Sequence, residues 1–302
     1  MMFFIALVSI VLPGQTPTFR GGVTLVKVDV SAANGNGRTI SDLAQKDFEV
    51  FDEGAPQPIA YFDHESEPLD LLLLLDVSGS MHRSLMELAA TARAALRPLG
   101  RQDRVGVMLF ARESAVRQLF TEDFGLVESE IANAVKAQDL GSGTAINAAV
   151  RAGAEYIGRQ PASARRAVLI VTDNLSLNYR VPDEVVIRAL YAADATLDGI
   201  LIGKQRRPEA PRAGTYVNPD FTPSDIFKLA AQTGGEAVEV HQAGESFPAM
   251  IERIRSRYRL QYQAPASAAG AFHRVEVRLT EEARRRYPRA VLRARAGYYA
   301  AE

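Results

Sequence analysis

Three oxygen-bearing side chains follow one short apolar run on alternate residues. Residues 70–80 read Asp-Leu-Leu-Leu-Leu-Leu-Asp-Val-Ser-Gly-Ser, so Asp76, Ser78 and Ser80 come directly after the leucines. Carboxylate and hydroxyl oxygens are the donors that hard divalent cations prefer, and Mg²⁺ in particular takes them in near-octahedral geometry with some water retained. The types and spacing of these residues therefore predict part of a metal site.

The apolar run itself predicts the element that positions these donors. A run this short, broken at once by glycine and hydroxyl residues, is typical of a strand buried on both faces of a parallel sheet. Ligands of open parallel sheets bind at the carboxyl ends of the strands, where loops converge and helix N-termini point. We therefore expect the three donors at that edge of a sheet.

Two further donors are predicted to reach the same edge from other loops. Thr144 ends the flexible loop Gly141-Ser-Gly-Thr directly before a helical pattern, and Asp173 follows the apolar run at 168–171. Taken singly, each is more often a helix cap or a turn residue than a ligand, and the first trio alone could be a helix N-cap cluster. The complete set of five favours a metal held by oxygen.

The order of strand and helix patterns along the chain predicts an α/β domain inserted in a β layer. Apolar strands alternate with helical patterns over 67–250, which indicates a mostly parallel, Rossmann-like sheet with helices on both faces. The flanking segments 20–66 and 251–302 show strand and turn patterns, the last of them a single strand over 290–299. Because a layer of two or three strands is only marginally stable alone, we expect the two segments to pair in one small β-sandwich.

Residues 1–19 form a separate N-terminal segment in this interpretation. The apolar stretch at 1–12 is shorter than the roughly 20 residues that a membrane span needs, so it predicts a signal peptide and export to the periplasm or the exterior. The first basic residue is Arg20, so the usual basic region is missing. The alternative is an apolar segment that docks on the fold. In either case no transmembrane span is expected in the mature chain.

Composition limits the classes of partner and of site. The net charge of the 302-residue chain is −1, so no long-range field attracts nucleic acid or an anionic membrane. The chain has no cysteine, which excludes thiolate metal sites and a cysteine nucleophile. Arginine-rich stretches at 253–259, 282–286 and 292–296 are interpreted as solvated faces. We expect no nucleic-acid partner.

The order of the five donors resembles the metal-ion-dependent adhesion site of von Willebrand factor type A domains. The resemblance rests on Asp76-x-Ser78-x-Ser80, on Thr144 in a Gly-Thr-Ala context and on Asp173 after an apolar strand, and it covers roughly residues 69–247. The flanking Lys46-Asp-Phe-Glu-Val-Phe-Asp-Glu-Gly and Arg293-Ala-Arg-Ala-Gly-Tyr-Tyr are similar to bacterial, acidobacterial-type proteins that carry such a domain between short β segments.

The resemblance implies how the donors share the metal, which would be Mg²⁺ or Mn²⁺. It implies Ser78, Ser80 and Thr144 as direct ligands, with Asp76 and Asp173 coordinating largely through water. It also implies one open coordination position that an Asp or Glu carboxylate of a partner protein fills. The expected function is thus metal-dependent protein binding, or adhesion, without catalysis.

One residue departs from the pattern of that family. Asn174 stands after the second aspartate, where the family usually has glycine. Asparagine is the non-glycine residue that best tolerates a left-handed backbone, so we expect the turn to survive.

Two alternatives differ in class. A metal-dependent hydrolase or phosphoryl-transfer enzyme could use Asp76 as a nucleophile, yet the chain lacks a Gly-x-Ser-x-Gly elbow, a Walker-type loop and a His-Glu-x-x-His motif. The nearest histidine, His82, is expected to be a partly exposed residue in a first helical turn. The other alternative is a scaffold that binds no metal.

Overall fold

A computed structural model describes residues 24–64, 67–175, 181–204 and 225–300. In these ranges the strands are β1 (Leu25–Ala33), β2 (Phe48–Asp52), β3 (Ala55–Gln57), β4 (Tyr61–His64), β5 (Leu69–Asp76), β6 (Arg104–Phe110), β7 (Ser114–Thr121), β8 (Arg165–Thr172), β9 (Ala195–Ile202), β10 (Ala237–Val240), β11 (Tyr258–Gln263), β12 (Phe272–Leu279), β13 (Val291–Ala294) and β14 (Gly297–Tyr299). The helices are α1 (His82–Leu96), α2 (Phe124–Ala134), α3 (Ile146–Gly158), α4 (Asp183–Ala192), α5 (Ile226–Thr233), α6 (Ala243–Arg255) and α7 (Glu281–Arg286). None of these helices is long and apolar enough to cross a membrane. The predicted segment 1–19 lies outside the described residues.

The leucine run forms a central strand of the main sheet. This sheet has six strands in the order β10-β9-β8-β5-β6-β7, all parallel except β7, which pairs with β6 in the antiparallel sense. Every residue of β5 is buried. The predicted strand with two covered faces is therefore confirmed.

Helices cover both faces of this sheet, as the alternation of patterns predicts. Leu71, Leu73 and Leu75 pack on one side in a core with α1, α2 and α6. Leu72 and Leu74 point to the other side, toward α3, α4 and α5. Because successive side chains of a strand point to opposite faces, one uninterrupted leucine run supplies both cores.

The flanking segments form two antiparallel sheets of four strands each. One has the order β13-β1-β11-β4 and the other β14-β12-β2-β3, so both combine strands from before and after the α/β domain. Val28, Val50, Tyr258 and Val275 belong to a single core that both sheets share. The prediction that opening and closing strands pack together is confirmed.

The prediction of one strand over 290–299 is wrong. The chain pairs with β1 as β13, leaves that sheet, and then pairs with β12 as β14 in the second sheet. At the crossing the Ala296 amide donates to the Gln232 carbonyl, outside either sheet. Gly297 then follows at a point where a Cβ would lie 2.2 Å from the His273 carbonyl oxygen. Only glycine allows this close approach, which begins the new strand.

The arginine-rich segment 253–259 is not a solvated face, so that prediction is also wrong. Arg257 and Arg259 have 3% and 2% of their side chains exposed. The Nη2 of Arg257 lies 2.6 Å from Oδ1 of Asp198, and Nε of Arg259 lies 2.7 Å from Oδ1 of Asp29. Residues far apart in sequence neutralise these guanidinium groups, and sequence spacing gives no sign of them.

These pairs belong to a charged cluster between the sheet and the sandwich, here called the arginine joint. It consists of Arg165, Arg257, Arg259 and Arg295 with Asp29, Asp194 and Asp198. Arg165 donates to the main-chain carbonyls of residues 255 and 257, at 2.7 and 3.0 Å. Burial lowers the pKa of Arg165. The joint attaches the sandwich to the amino ends of the parallel strands.

We expect Asp198→Asn to lower the free energy of unfolding by about 3–5 kcal/mol, because it leaves the buried Arg257 charge uncompensated. Urea denaturation followed by circular dichroism measures this loss. The control is Glu276→Gln in the exposed Glu276–Arg278 pair, which should leave the unfolding midpoint unchanged. Equal midpoints for both variants would show that the joint contributes nothing particular to stability.

Candidate metal centre

Asp76 is the last residue of β5, at the carboxyl edge of the main sheet. It lies opposite Phe110 of β6 and is 0% exposed. The amide of Val77 donates to the Phe110 carbonyl at 2.8 Å, which fixes the backbone as it leaves the strand. The predicted position of Asp76, at the edge where ligands of parallel sheets bind, is therefore observed.

Both oxygens of the Asp76 carboxylate accept hydrogen bonds. The Thr172 hydroxyl donates to Oδ2 at 2.6 Å, and the amide of Ser78 donates to Oδ1 at 2.9 Å. Burial raises the pKa of Asp76 to about 6, although these hydrogen bonds oppose the rise. The ion pairs of the described residues do not include Asp76, so its charge has no cationic partner within that part of the chain.

Ser78 and Ser80 lie on the turn that follows. A 3₁₀ turn over Gly79–Met81 brings the two hydroxyl oxygens to 3.3 Å from each other. The side chain of Met81 is fully buried and fixes the end of the turn, while Ser80 is exposed and Ser78 half-buried. The Ser78 side chain makes no helix-cap hydrogen bond. The N-cap alternative therefore does not account for this hydroxyl.

Thr144 reaches this edge through a hydrogen-bonded loop. The loop contains Gly141 and Gly143 at φ +75° and +102°, conformations that favour glycine. The next amide, of Ala145, donates to the carbonyl of Ala111 at 2.8 Å. Ala111 directly follows Phe110, the partner of Asp76 across the sheet. Thr144 itself is buried, and the N-cap of α3 is Ala145.

Asp173 follows β8, which is the neighbour of β5 in the sheet. Its negative charge contributes to the raised pKa of Asp76, so the two carboxylates lie within electrostatic range. Its Oδ1 also accepts a hydrogen bond from the Leu175 amide at 3.0 Å, which is the turn role expected of a lone aspartate. Asn174 has φ +58°, which confirms the expected left-handed turn.

Thr172 is a residue of this edge that sequence reasoning missed. Besides donating to Asp76, its hydroxyl accepts a hydrogen bond from the Asn174 amide at 3.0 Å. Thr172 therefore links the end of β5 to the turn that holds Asp173. In the sequence, Thr172 is a single hydroxyl residue at the end of an apolar strand. Threonine is common in strands, so its presence there does not by itself indicate a role at the site.

The donor chemistry of this edge fits a hard divalent cation. In the described residues no group of three or more His, Cys, Asp and Glu side chains could hold a metal. The five predicted donors are of another kind, since three are hydroxyls and only Asp76 and Asp173 are carboxylates. A cation would compensate the buried charge of Asp76, which is costly without a partner.

One family of known proteins matches part of this chain. Residues 71–175, which run from β5 to the turn after β8, match the von Willebrand factor type A domain. No curated protein matches the chain in sequence.

Three solved structures of bacterial proteins also match this chain. An aerotolerance-related membrane protein from Bacteroides fragilis is 16% identical, with a TM-score of 0.46 over 62% of this chain and 98% of that one. BatB from Bacteroides thetaiotaomicron is 18% identical, with a TM-score of 0.45 over 62% and 97%. A von Willebrand factor type A protein from Catenulispora acidiphila is 14% identical, with a TM-score of 0.48 over 94% and 76%.

The family match covers residues 71–175 of the 302-residue chain. This part of the chain is identified as a von Willebrand factor type A domain, and a domain of this type suggests a module for protein interaction.

Proposed function

We propose that this chain binds a partner protein through a divalent cation, Mg²⁺ or Mn²⁺, at the carboxyl edge of its main sheet. The observation that carries the proposal is Asp76, a fully buried carboxylate that receives two neutral hydrogen bonds and no positive charge from the described residues. Thr144 and Asp173 are connected to the same edge by the Ala111 hydrogen bond and the turn at Asn174.

The charges of the five side chains indicate which of them would ligate the cation directly and which would act through water. Ser78, Ser80 and Thr144 would ligate the cation directly with neutral oxygens, and Asp76 and Asp173 would hold water molecules around it. When bound, the cation would supply positive charge and one exchangeable position for an Asp or Glu carboxylate of the partner. Neutral direct ligands leave more of that charge available to an outside anion than carboxylate ligands would.

The surface beside this edge supports a protein as the ligand. Leu175, two residues past Asp173, is 71% exposed. An apolar side chain next to a charged anchor offers a partner both contact area and an ion contact.

The same observations speak against catalysis, and we propose that the chain is not an enzyme. Asp76 is buried and both its oxygens are engaged, so it is poorly placed to attack a phosphorus atom. His82 begins α1 and is exposed, as expected for a surface residue of a first turn. We further propose export, which rests on the apolar stretch at residues 1–12.

Mg²⁺ or Mn²⁺ at a hundred times its dissociation constant should raise the free energy of unfolding by about 2.7 kcal/mol. Asp76→Asn should abolish this response, yet its stability in EDTA should be no lower than that of wild type, because the substitution removes a buried unpaired charge. Urea denaturation in EDTA and in Mg²⁺ measures both effects, with isothermal titration for the dissociation constant.

Asp70→Asn is the matched control, since Asp70 lies in the same strand β5. Its two oxygens accept from Nε and Nη2 of Arg104 at 2.8 and 2.7 Å. We expect this variant to lose about 1.5–3 kcal/mol in EDTA and to keep the Mg²⁺ response. A wild type that responds to neither Mg²⁺ nor Mn²⁺ would support the scaffold alternative.

Partner capture should depend on the metal. Immobilised wild-type chain should retain a partner in Mg²⁺ and release it in EDTA, while Asp76→Asn should retain none, because the bridging cation is absent. Exchange of the captured partner's contacting Asp or Glu for Asn or Gln should weaken binding at least tenfold. Retention of the partner in EDTA at unchanged affinity would contradict a metal bridge.

A further inference from the structure

A cavity of about 190 Å³ lies next to the arginine joint, far from the residues of the proposed metal site in sequence and in the sheet. The turn after β1 and the strand β13 contribute one part of its wall, and the end of α6 and the start of β10 contribute the other. The cavity is thus built from both the sandwich and the α/β domain, and no single element forms it.

The charged part of its wall is dominated by arginine. Arg253, Arg257 and Arg293 line the cavity with a single carboxylate, that of Glu236. Glu236 is shared, because Nη1 of Arg253 lies 3.0 Å from one oxygen and Nη2 of Arg293 lies 3.1 Å from the other. The lining therefore carries two positive charges more than negative ones, and Asp198 behind Arg257 offsets one of them.

Arg257 has hydrogen-bonding capacity left over. Its two terminal nitrogens donate to Thr196 and Asp198, at 2.7 and 2.6 Å. Its Nε is buried and has no hydrogen-bond partner among the described residues. A buried donor without a partner costs free energy, so the described residues leave the guanidinium group of Arg257 incompletely satisfied.

The remaining wall has an apolar part. Ala32, Ala33 and Val291 form it, and Ser31, Asn34, Thr39 and Ser256 also line the cavity. A fully hydrated inorganic anion gains nothing from the apolar part, whereas a short hydrocarbon chain does. Guanidinium groups bind carboxylates through paired, charge-assisted hydrogen bonds.

The geometry points to a binding site for a small organic carboxylate in this cavity. The carboxylate group lies against Arg253, Arg257 and Arg293, and the hydrocarbon part contacts Ala32, Ala33 and Val291. Because the ligand contacts both domains, its binding strengthens their attachment. This site is independent of the metal at the opposite edge of the sheet.

The test is isothermal titration of the full chain with succinate, in EDTA and at fixed ionic strength, against succinamide, inorganic phosphate and chloride. Succinate should bind saturably and raise the melting temperature, and succinamide should do neither. Arg293→Gln and Arg253→Gln should weaken the affinity for succinate by about 10- to 100-fold each, since each removes a charge-assisted contact.

Two further variants sharpen the outcome. Glu236→Gln should tighten succinate binding, because it removes the one carboxylate that competes for the arginines, and a merely structural role of Glu236 would not produce that sign. Arg285→Gln, at an exposed position of α7, should leave the affinity unchanged. Absence of saturable succinate binding, equal affinity for succinamide, or tighter binding of phosphate would each overturn the proposal.

Discussion

The central strand β5 carries a buried aspartate near each end, and the difference between them organises the molecule. Asp70 accepts two hydrogen bonds from Arg104, a cation that balances its charge. Asp76 accepts from a hydroxyl and an amide, which carry no net charge. A buried carboxylate without a counter-charge is expensive, so folds keep one where a ligand supplies the charge or where a function needs it. This asymmetry is the strongest physical reason to regard the Asp76 end of the sheet as the functional one.

The position of the sandwich is consistent with that assignment. The arginine joint lies at the amino ends of the parallel strands, where Arg165 begins β8 and Asp194 directly precedes β9. Its ion pairs attach the sandwich to that side of the sheet. The carboxyl ends of β5 and β8, where Asp76 and Asp173 lie, are on the other side. A partner that approaches them does not compete with the sandwich.

The sequence predicted those features that local chemistry determines. Five consecutive leucines broken at once by glycine and hydroxyl residues are typical of a strand covered on both faces, and parallel strands place their carboxyl ends together, so the position of Asp76 followed from pattern alone. The left-handed turn at Asn174 followed from backbone sterics. Features that depend on residues distant along the chain could not be predicted from the sequence. In the sequence Arg257 is one of a run of arginines, and only the fold brings Asp198 beside it. The break at Gly297 depends on the close approach of His273.

Thr172 orders the carboxyl edge of the main sheet through two hydrogen bonds. One hydroxyl joins the Asp76 carboxylate to the Asn174 amide, so β5 and the turn after β8 are held in register by buried hydrogen bonds. Ordering groups on binding costs conformational entropy, and groups that are already fixed avoid that cost. In the proposed site the two aspartates would thus be preorganised. Ser80, which is exposed, is the donor with room to adjust to the cation. Fixed carboxylates with an adaptable hydroxyl suit a site that must complete its coordination with an oxygen from another protein.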